Sequence, residues 1–195
     1  MKLRYSIRRA TSGDGEAIHM AHMRSICEVC APYYSEAEIQ AWGHRSYSAT
    51  KWDYSIQNDF VHVVEHNHKI SGYGHARINE NNKAQILGLY LCPEVLGLGA
   101  GKALFSALKE DLLGAGVQQI GLESTINALE FYQKLGFKQY QEPATVLIGN
   151  TKIRCFRMEL FLSAPQTKSE MDCPQDLQKQ HTETICPDSL PDESE

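Results

Sequence analysis

No apolar run in this chain of 195 residues approaches the roughly 20 residues that a membrane-spanning helix needs. The longest apolar stretches, such as residues 85–91, fall far short. The opening residues Met1, Lys2, Leu3, Arg4, Tyr5 and Ser6 lack the apolar core of a signal peptide. Membrane and secretory functions are therefore excluded, and a cytoplasmic protein is expected. Excess positive charge is missing too. The first 163 residues carry 17 basic and 16 acidic side chains, which argues against a broad nucleic-acid surface held by phosphate contacts. Six cysteines are present, but only Cys27 and Cys30 are close in sequence. With no second pair at zinc spacing, free thiols acting as small apolar residues are expected, without a metal.

What is present suits one compact domain. Residues 5–8 alternate like a short strand, and Thr11 or Ser12 is placed to cap a helix that opens with Asp14 and Glu16. Ile18, Ala21, His22, Ile26 and Val29 continue that helix to Pro32. Ser35 with Glu38 forms a capping box for a second helix through Trp42, and a third is expected around residues 52–56. Residues 60–78 read as a hairpin turning at 66–68, and residues 86–91 as a buried strand. Leu104, Leu108 and Leu112, with Phe105 and Leu113, define an amphipathic helix that stops at residues 114–116. A strand at 119–123, a helix at 127–135 closed by Gly136, and strands at 137–147 and 152–160 complete an α/β arrangement around one mixed sheet. The domain is expected to span 1–162. Residues 163–195, rich in Pro, Ser, Gln and acids, are expected to form a disordered acidic tail.

The most informative stretch is Leu96, Gly97, Leu98, Gly99, Ala100, Gly101 and Lys102, which joins the buried strand to the amphipathic helix. Alternate glycines let successive N–H groups point into one concavity, and the helix adds its positive end, so the turn suits an anion such as phosphate. A Walker loop fails here, because Leu96 stands where Gly is needed and Ala103 where Ser or Thr is needed. The dinucleotide fingerprint fails on glycine spacing and on its position in mid-chain. A glycine turn that holds nothing is the plain alternative.

A second stretch follows downstream, with Ala128, Phe131, Tyr132, Leu135, Gly136 and Phe137. Together with Leu89, Tyr90 and Leu91, the Pro93 and Glu94 pair and the glycine turn, it resembles the GNAT superfamily of acyl-CoA-dependent N-acetyltransferases over about residues 5–162. Three positions depart from the family pattern. Leu96 stands where Gln or Arg is usual, Thr125 replaces an asparagine, and the strand before the turn lacks an acid.

The resemblance implies that acetyl-CoA lies between two splayed strands, ending at Leu91 and at residues 119–123. The backbone of Leu89 and Leu91 would hold the pantetheine arm, Leu98, Gly99, Ala100, Gly101 and Lys102 the pyrophosphate, and Asn127 would also belong to the cofactor site. It further implies direct attack by an amine on the thioester, with a backbone N–H near Leu91 at the developing oxyanion and Tyr132 as general acid toward the departing thiolate. The phenol's reference pKa roughly matches that task. The base is open between Glu123, His75, His22 and a water chain. The expected acceptor is a primary amine of a small molecule or peptide, with no nucleic acid, membrane or metal; Tyr33, Tyr34, Trp42 and Trp52 are candidates to wall its pocket. Oligomeric state is left open, a homodimer included. The competing class is a catalytically silent acyl-CoA sensor on the same fold, and a redox or metal protein built on Cys27 and Cys30 stands third.

Overall fold

The computed structural model describes residues 5–162 other than 45, 47 and 80. The expected acidic tail lies outside the described residues. In chain order the elements are β1 (Ser6–Arg9), α1 (Gly15–Arg24), α2 (Glu36–Gly43), α3 (Ala49–Asn58), β2 (Phe60–His66), β3 (Lys69–Ile78), β4 (Lys83–Leu91), α4 (Ala100–Gly114), β5 (Gln119–Ser124), α5 (Leu129–Lys134), β6 (Lys138–Gln139), β7 (Ala144–Ile148) and β8 (Thr151–Phe161). The strands form one mixed sheet in the order β1-β2-β3-β4-β5-β8-β6, with β7 paired to the other half of β8. Among the described residues, only β4 and β5 run parallel. No helix among the described residues is long and apolar enough to cross a membrane.

The residues that set each element are mostly those the sequence singles out. Ser35 and Glu38 cap α2 reciprocally: Ser35 N–H donates to Glu38 Oε2 at 2.8 Å and Glu38 N–H to Ser35 Oγ at 3.3 Å. The β2–β3 turn sits at Asn67 and His68, both with positive φ, as a tight hairpin turn demands. On α4, Leu104, Leu108 and Leu112 are fully buried, each contributing roughly 1.5–3 kcal/mol as an upper bound. Leu108 and Leu112 pack with Ile86, Ile120 and Met158 of the sheet and with Phe137, and Leu104 packs with Val64 of β2. Gly74 lets α4 come close, because a Cβ there would stand 2.7 Å from Leu108 Cδ1. The opposite face of the sheet carries α1 to α3, with Ile18, Ile56, Val61, Val63 and Tyr73 in one cluster and Ile26, Tyr34, Trp42 and Ile153 in another.

Four expectations change. Leu113, expected on the buried face of α4, is 36% exposed. The N-cap position of α1 falls at Asp14 rather than at Thr11 or Ser12, and its carboxylate caps no helix N–H, being taken up instead by Thr11 N–H at 2.8 Å and by both terminal nitrogens of Arg8. The helix is not uniform to Pro32: it widens into a π-helical stretch at Ser25–Cys30 and tightens into a 3-10 turn at Ala31–Tyr33. The strand expected over 137–147 is broken into β6 and β7 around Glu142 and Pro143, where proline lacks the N–H a ladder needs.

Candidate active site

Strands β4 and β5 pair over only four residues each, from Lys83↔Gln119 to Ile86↔Leu122. At the end of that pairing β4 carries an extra residue against β3, since His75 faces Gly88 while Ala76 faces Ile86. The bulge falls at Leu87, bends β4 and opens a wedge between it and β5. Beyond the bulge, Cys92 N–H donates to Ser71 O at 2.8 Å. Antiparallel alternation then turns the amide groups of Tyr90 toward β3 and those of Leu89 and Leu91 into the wedge. A strand-like ligand can pair with those free groups.

At the mouth of the wedge lies the glycine turn. Its stem is the 3-10 turn Pro93–Val95, tied down by Glu94, which accepts from Ser71 Oγ at 2.8 Å and from Arg24 Nη1 at 3.0 Å. The Arg24 guanidinium holds the Glu94 carboxyl down at about 2. Gly97 and Gly99 have φ of +71° and +84°, the left-handed region that favours glycine. Gly99 then stands just before α4, which opens at Ala100. The N–H groups of Ala100, Gly101 and Lys102 have no carbonyl one turn back within the helix, and the dipole end lies among them.

One cavity of about 190 Å³ runs from this turn into the wedge and is lined by Leu89, Leu91, Leu96, Asn127, Phe131 and Tyr132 among others. Asn127 amide interacts with the Cys30 thiol, whose pKa burial nevertheless pushes up to about 12. The Asn127 Oδ1 is buried and has no partner among the described residues. A buried carbonyl without a donor is costly, so it fits a ligand N–H. That orphaned acceptor, the free amides of Leu89 and Leu91 and the N–H-lined turn together match a phosphopantetheine ligand. Cys27 and Cys30 are free thiols, and the raised Cys30 pKa disfavours the thiolate that redox or metal chemistry needs.

Deeper, where the strands meet, a small cavity of about 40 Å³ is bordered by Leu87, Leu89, Glu123 and Tyr132. Tyr132 is 5% exposed, its ring set edge-on to Phe131 and Phe137. Its hydroxyl hydrogen-bonds to none of the described residues. Burial raises its pKa well above that of a free phenol, so the group keeps its proton more firmly than the reference value suggests. Glu123 ends β5 half-exposed, with Arg157 Nε 3.4 Å from one carboxylate oxygen.

The other base candidates are not brought here. His75 Nε2 donates to Asp59 Oδ2 at 2.7 Å, Arg77 grips both oxygens of the same carboxylate, and the Trp52 ring stands tilted beside the imidazole. His75 borders neither cavity of the wedge. His22 packs its ring on Tyr73 and Tyr90. Of the aromatic residues expected to wall an acceptor pocket, Trp42 borders a neighbouring groove, while Trp52 belongs to the Tyr73 cluster and Tyr33 is exposed. Tyr34 does something the sequence did not suggest: its hydroxyl donates to Arg154 O and accepts from Ile126 N–H, both at 2.9 Å, fixing the 3-10 turn Ile126–Ala128 beside the wedge.

A fold of this kind, with a splayed parallel pair and an N–H-lined turn at its mouth, defines an acyl-CoA transferase class. A family model described as an acetyltransferase (GNAT) domain matches residues 30–161, and the chain belongs to that family. Similar solved structures include a GCN5-related N-acetyltransferase from Rhodopseudomonas palustris, 21% identical, with 80% of this chain and 95% of that one covered and a TM-score of 0.71. PaiA N-acetyltransferase from Thermoplasma acidophilum, in complex with coenzyme A, is 24% identical, with 81% and 99% covered and a TM-score of 0.67. A phosphinothricin acetyltransferase from Sinorhizobium meliloti, in complex with acetyl-CoA, is 21% identical, with 87% and 94% covered and a TM-score of 0.62. None of the curated proteins matches the sequence.

Proposed function

We propose that the protein transfers an acetyl group from acetyl-CoA to a primary amine by direct attack. The observation that carries the reading is the wedge itself: free backbone groups of Leu89 and Leu91 between splayed strands, continuous with a turn whose N–H groups suit a pyrophosphate. Acetyl-CoA supplies the activated thioester. Leu89 and Leu91 pair with the pantetheine amides, Asn127 Oδ1 accepts one further N–H, and residues 98–102 hold the phosphates. With the phosphates beyond Leu91, the thioester comes to rest deeper than the sequence alone suggests, between Leu87, Glu123 and Tyr132 rather than near Leu91.

Glu123 is the one charged side chain bordering that inner cavity among the described residues. It draws the ammonium in and takes its proton, releasing the lone pair that forms the new C–N bond. As the C–S bond breaks, the Tyr132 hydroxyl donates to the developing thiolate, a charge-assisted bond strengthened by the dry surroundings. The nitrogen sheds its second proton as the amide forms, and a proton relayed through solvent in its place converts the thiolate to the free thiol. A tyrosine bordering the inner cavity, opposite a carboxylate, favours an enzyme over a silent sensor.

The test is paired. Calorimetry with acetyl-CoA is expected to give saturable binding, and a panel of amines is expected to release free thiol. Absence of binding at millimolar acetyl-CoA sinks the reading, and binding without thiol release from any amine leaves the sensor.

A further inference from the structure

A groove of about 180 Å³ adjoins the inner end of the wedge, on the side of α2 and the β7–β8 hairpin. It shares Ile86, Leu87, Tyr90 and Glu123 with the inner cavity, so an amine seated in the groove reaches the wedge beside the Glu123 carboxylate. Its other walls are chiefly apolar, formed by Trp42, Val146, Ile148, Ile153 and Cys155, with Gln85 adding one amide. Glu123 is the single charged residue bordering it among the described residues, and Arg157 occupies one of its oxygens. The groove is smaller than the roughly 300–1,000 Å³ of pockets that take drug-sized ligands.

We infer that the acceptor is a primary monoamine carried on a small apolar body, aliphatic or aromatic, which lies against Trp42, Val146, Ile148 and Ile153 while its ammonium meets Glu123. The inference rests on the acetyltransferase reading of the same site. A polyamine brings a second charge for which the groove has no acid, and an unpaired charge is costly to desolvate. An amino sugar brings hydroxyls that an apolar wall leaves without partners, and the backbone of a peptide meets the same difficulty. An apolar body instead gains with each methylene it covers.

Thiol release by the full chain at fixed acetyl-CoA is measured with propylamine, pentylamine, phenethylamine, spermidine, glucosamine and an alanyl tripeptide. From propylamine to pentylamine kcat/KM is expected to rise about tenfold or more, on the scale of a methylene in an apolar pocket; spermidine, glucosamine and the tripeptide stay near the amine-free rate. Val146 is half-buried on β7, an edge strand paired only to β8, where lysine is well tolerated. Val146→Lys is expected to raise KM for pentylamine about tenfold, as a cation beside the ammonium must, with melting temperature and acetyl-CoA affinity unchanged. Preference for spermidine, glucosamine or the tripeptide overturns the inference. So does an unchanged KM in V146K, or acetyl-CoA binding with no response to any apolar amine. Failure of acetyl-CoA to bind at all overturns the underlying reading instead.

Discussion

Two tyrosines divide the labour of the site. Tyr132 borders the inner cavity, and in the proposed mechanism Tyr132→Phe removes an interaction that arises only as charge develops on sulfur. Turnover is expected to fall about 10²-fold or more, with acetyl-CoA affinity measured by calorimetry nearly unchanged. A variant as active as the parent would make the hydroxyl a bystander. Tyr34 is the structural counterpart, because its hydroxyl both donates and accepts across segments far apart in sequence. Tyr34→Phe strands the Ile126 N–H and the Arg154 carbonyl together. A loss of about 1–3 kcal/mol in urea unfolding is expected, and a stability equal to the parent's would show that water replaces both bonds. A sequence cannot reveal that difference: both residues read as aromatics near a helix, and only the tertiary fold decides which hydroxyl finds a carbonyl.

At the scale of elements, the turn into α4 was readable because its chemistry is local. Gly97, Gly99 and the leucines of α4 announce a phosphate-suited turn and a packed helix from spacing alone, and the Ser35 and Glu38 box fixes the start of α2 in the same way. Gly99→Val is expected to add a strained left-handed valine, costing about 1–3 kcal/mol of stability, without a clash, since only Tyr5 Oη lies within 4 Å of the added Cβ, at 3.6 Å. Melting should therefore move modestly while acetyl-CoA affinity, followed by calorimetry, collapses. Equal losses in both would mean that the turn is scaffold rather than site. The bulge at Leu87, the π-helical stretch at Ser25–Cys30 and the break between β6 and β7 were not readable. Each is set by register against a neighbouring strand or helix: Gly88 stands beside the bulge without giving its register, and Pro143 locates the last break without telling which half pairs where. His75 was a base candidate because its strand position alternates with Tyr73, but Asp59, which claims it, lies 16 residues upstream.

At the scale of the whole molecule, two buried histidines and the ion-paired carboxylates Asp59 and Glu94 share one sign, each with its pKa lowered. Burial lowers the pKa of His75, opposed by Asp59 and aided by Arg77, and lowers that of His62, opposed by Asp111 and aided by Arg9. Both histidines therefore fold neutral, and the unfolded chain binds the extra protons. Stability is fully present above the reference value of 6.5 and declines as pH falls through it. A second decline follows in the carboxylate range, where Glu94, held at about 2 by Arg24, and Asp59, lowered by Arg77 and His75 against its burial, must be protonated. Melting temperature is expected to be level between about pH 7 and 8 and to drop between about pH 6.5 and 5; a level profile down to pH 5 would contradict the buried neutral histidines.

Strand β8 carries a consequence for how the chain comes into being. Its half Phe156–Phe161 supplies the outer neighbour of β5, and its other half holds β7. Until residues 151–161 have been synthesised, β5 is joined to the nascent sheet by its short parallel ladder with β4 and offers its other edge to any passing strand. The acyl-CoA wedge is thus completed by nearly the last residues of the domain. A chain interrupted before Thr151 should be captured by chaperones or aggregate rather than persist as a half-built binding protein.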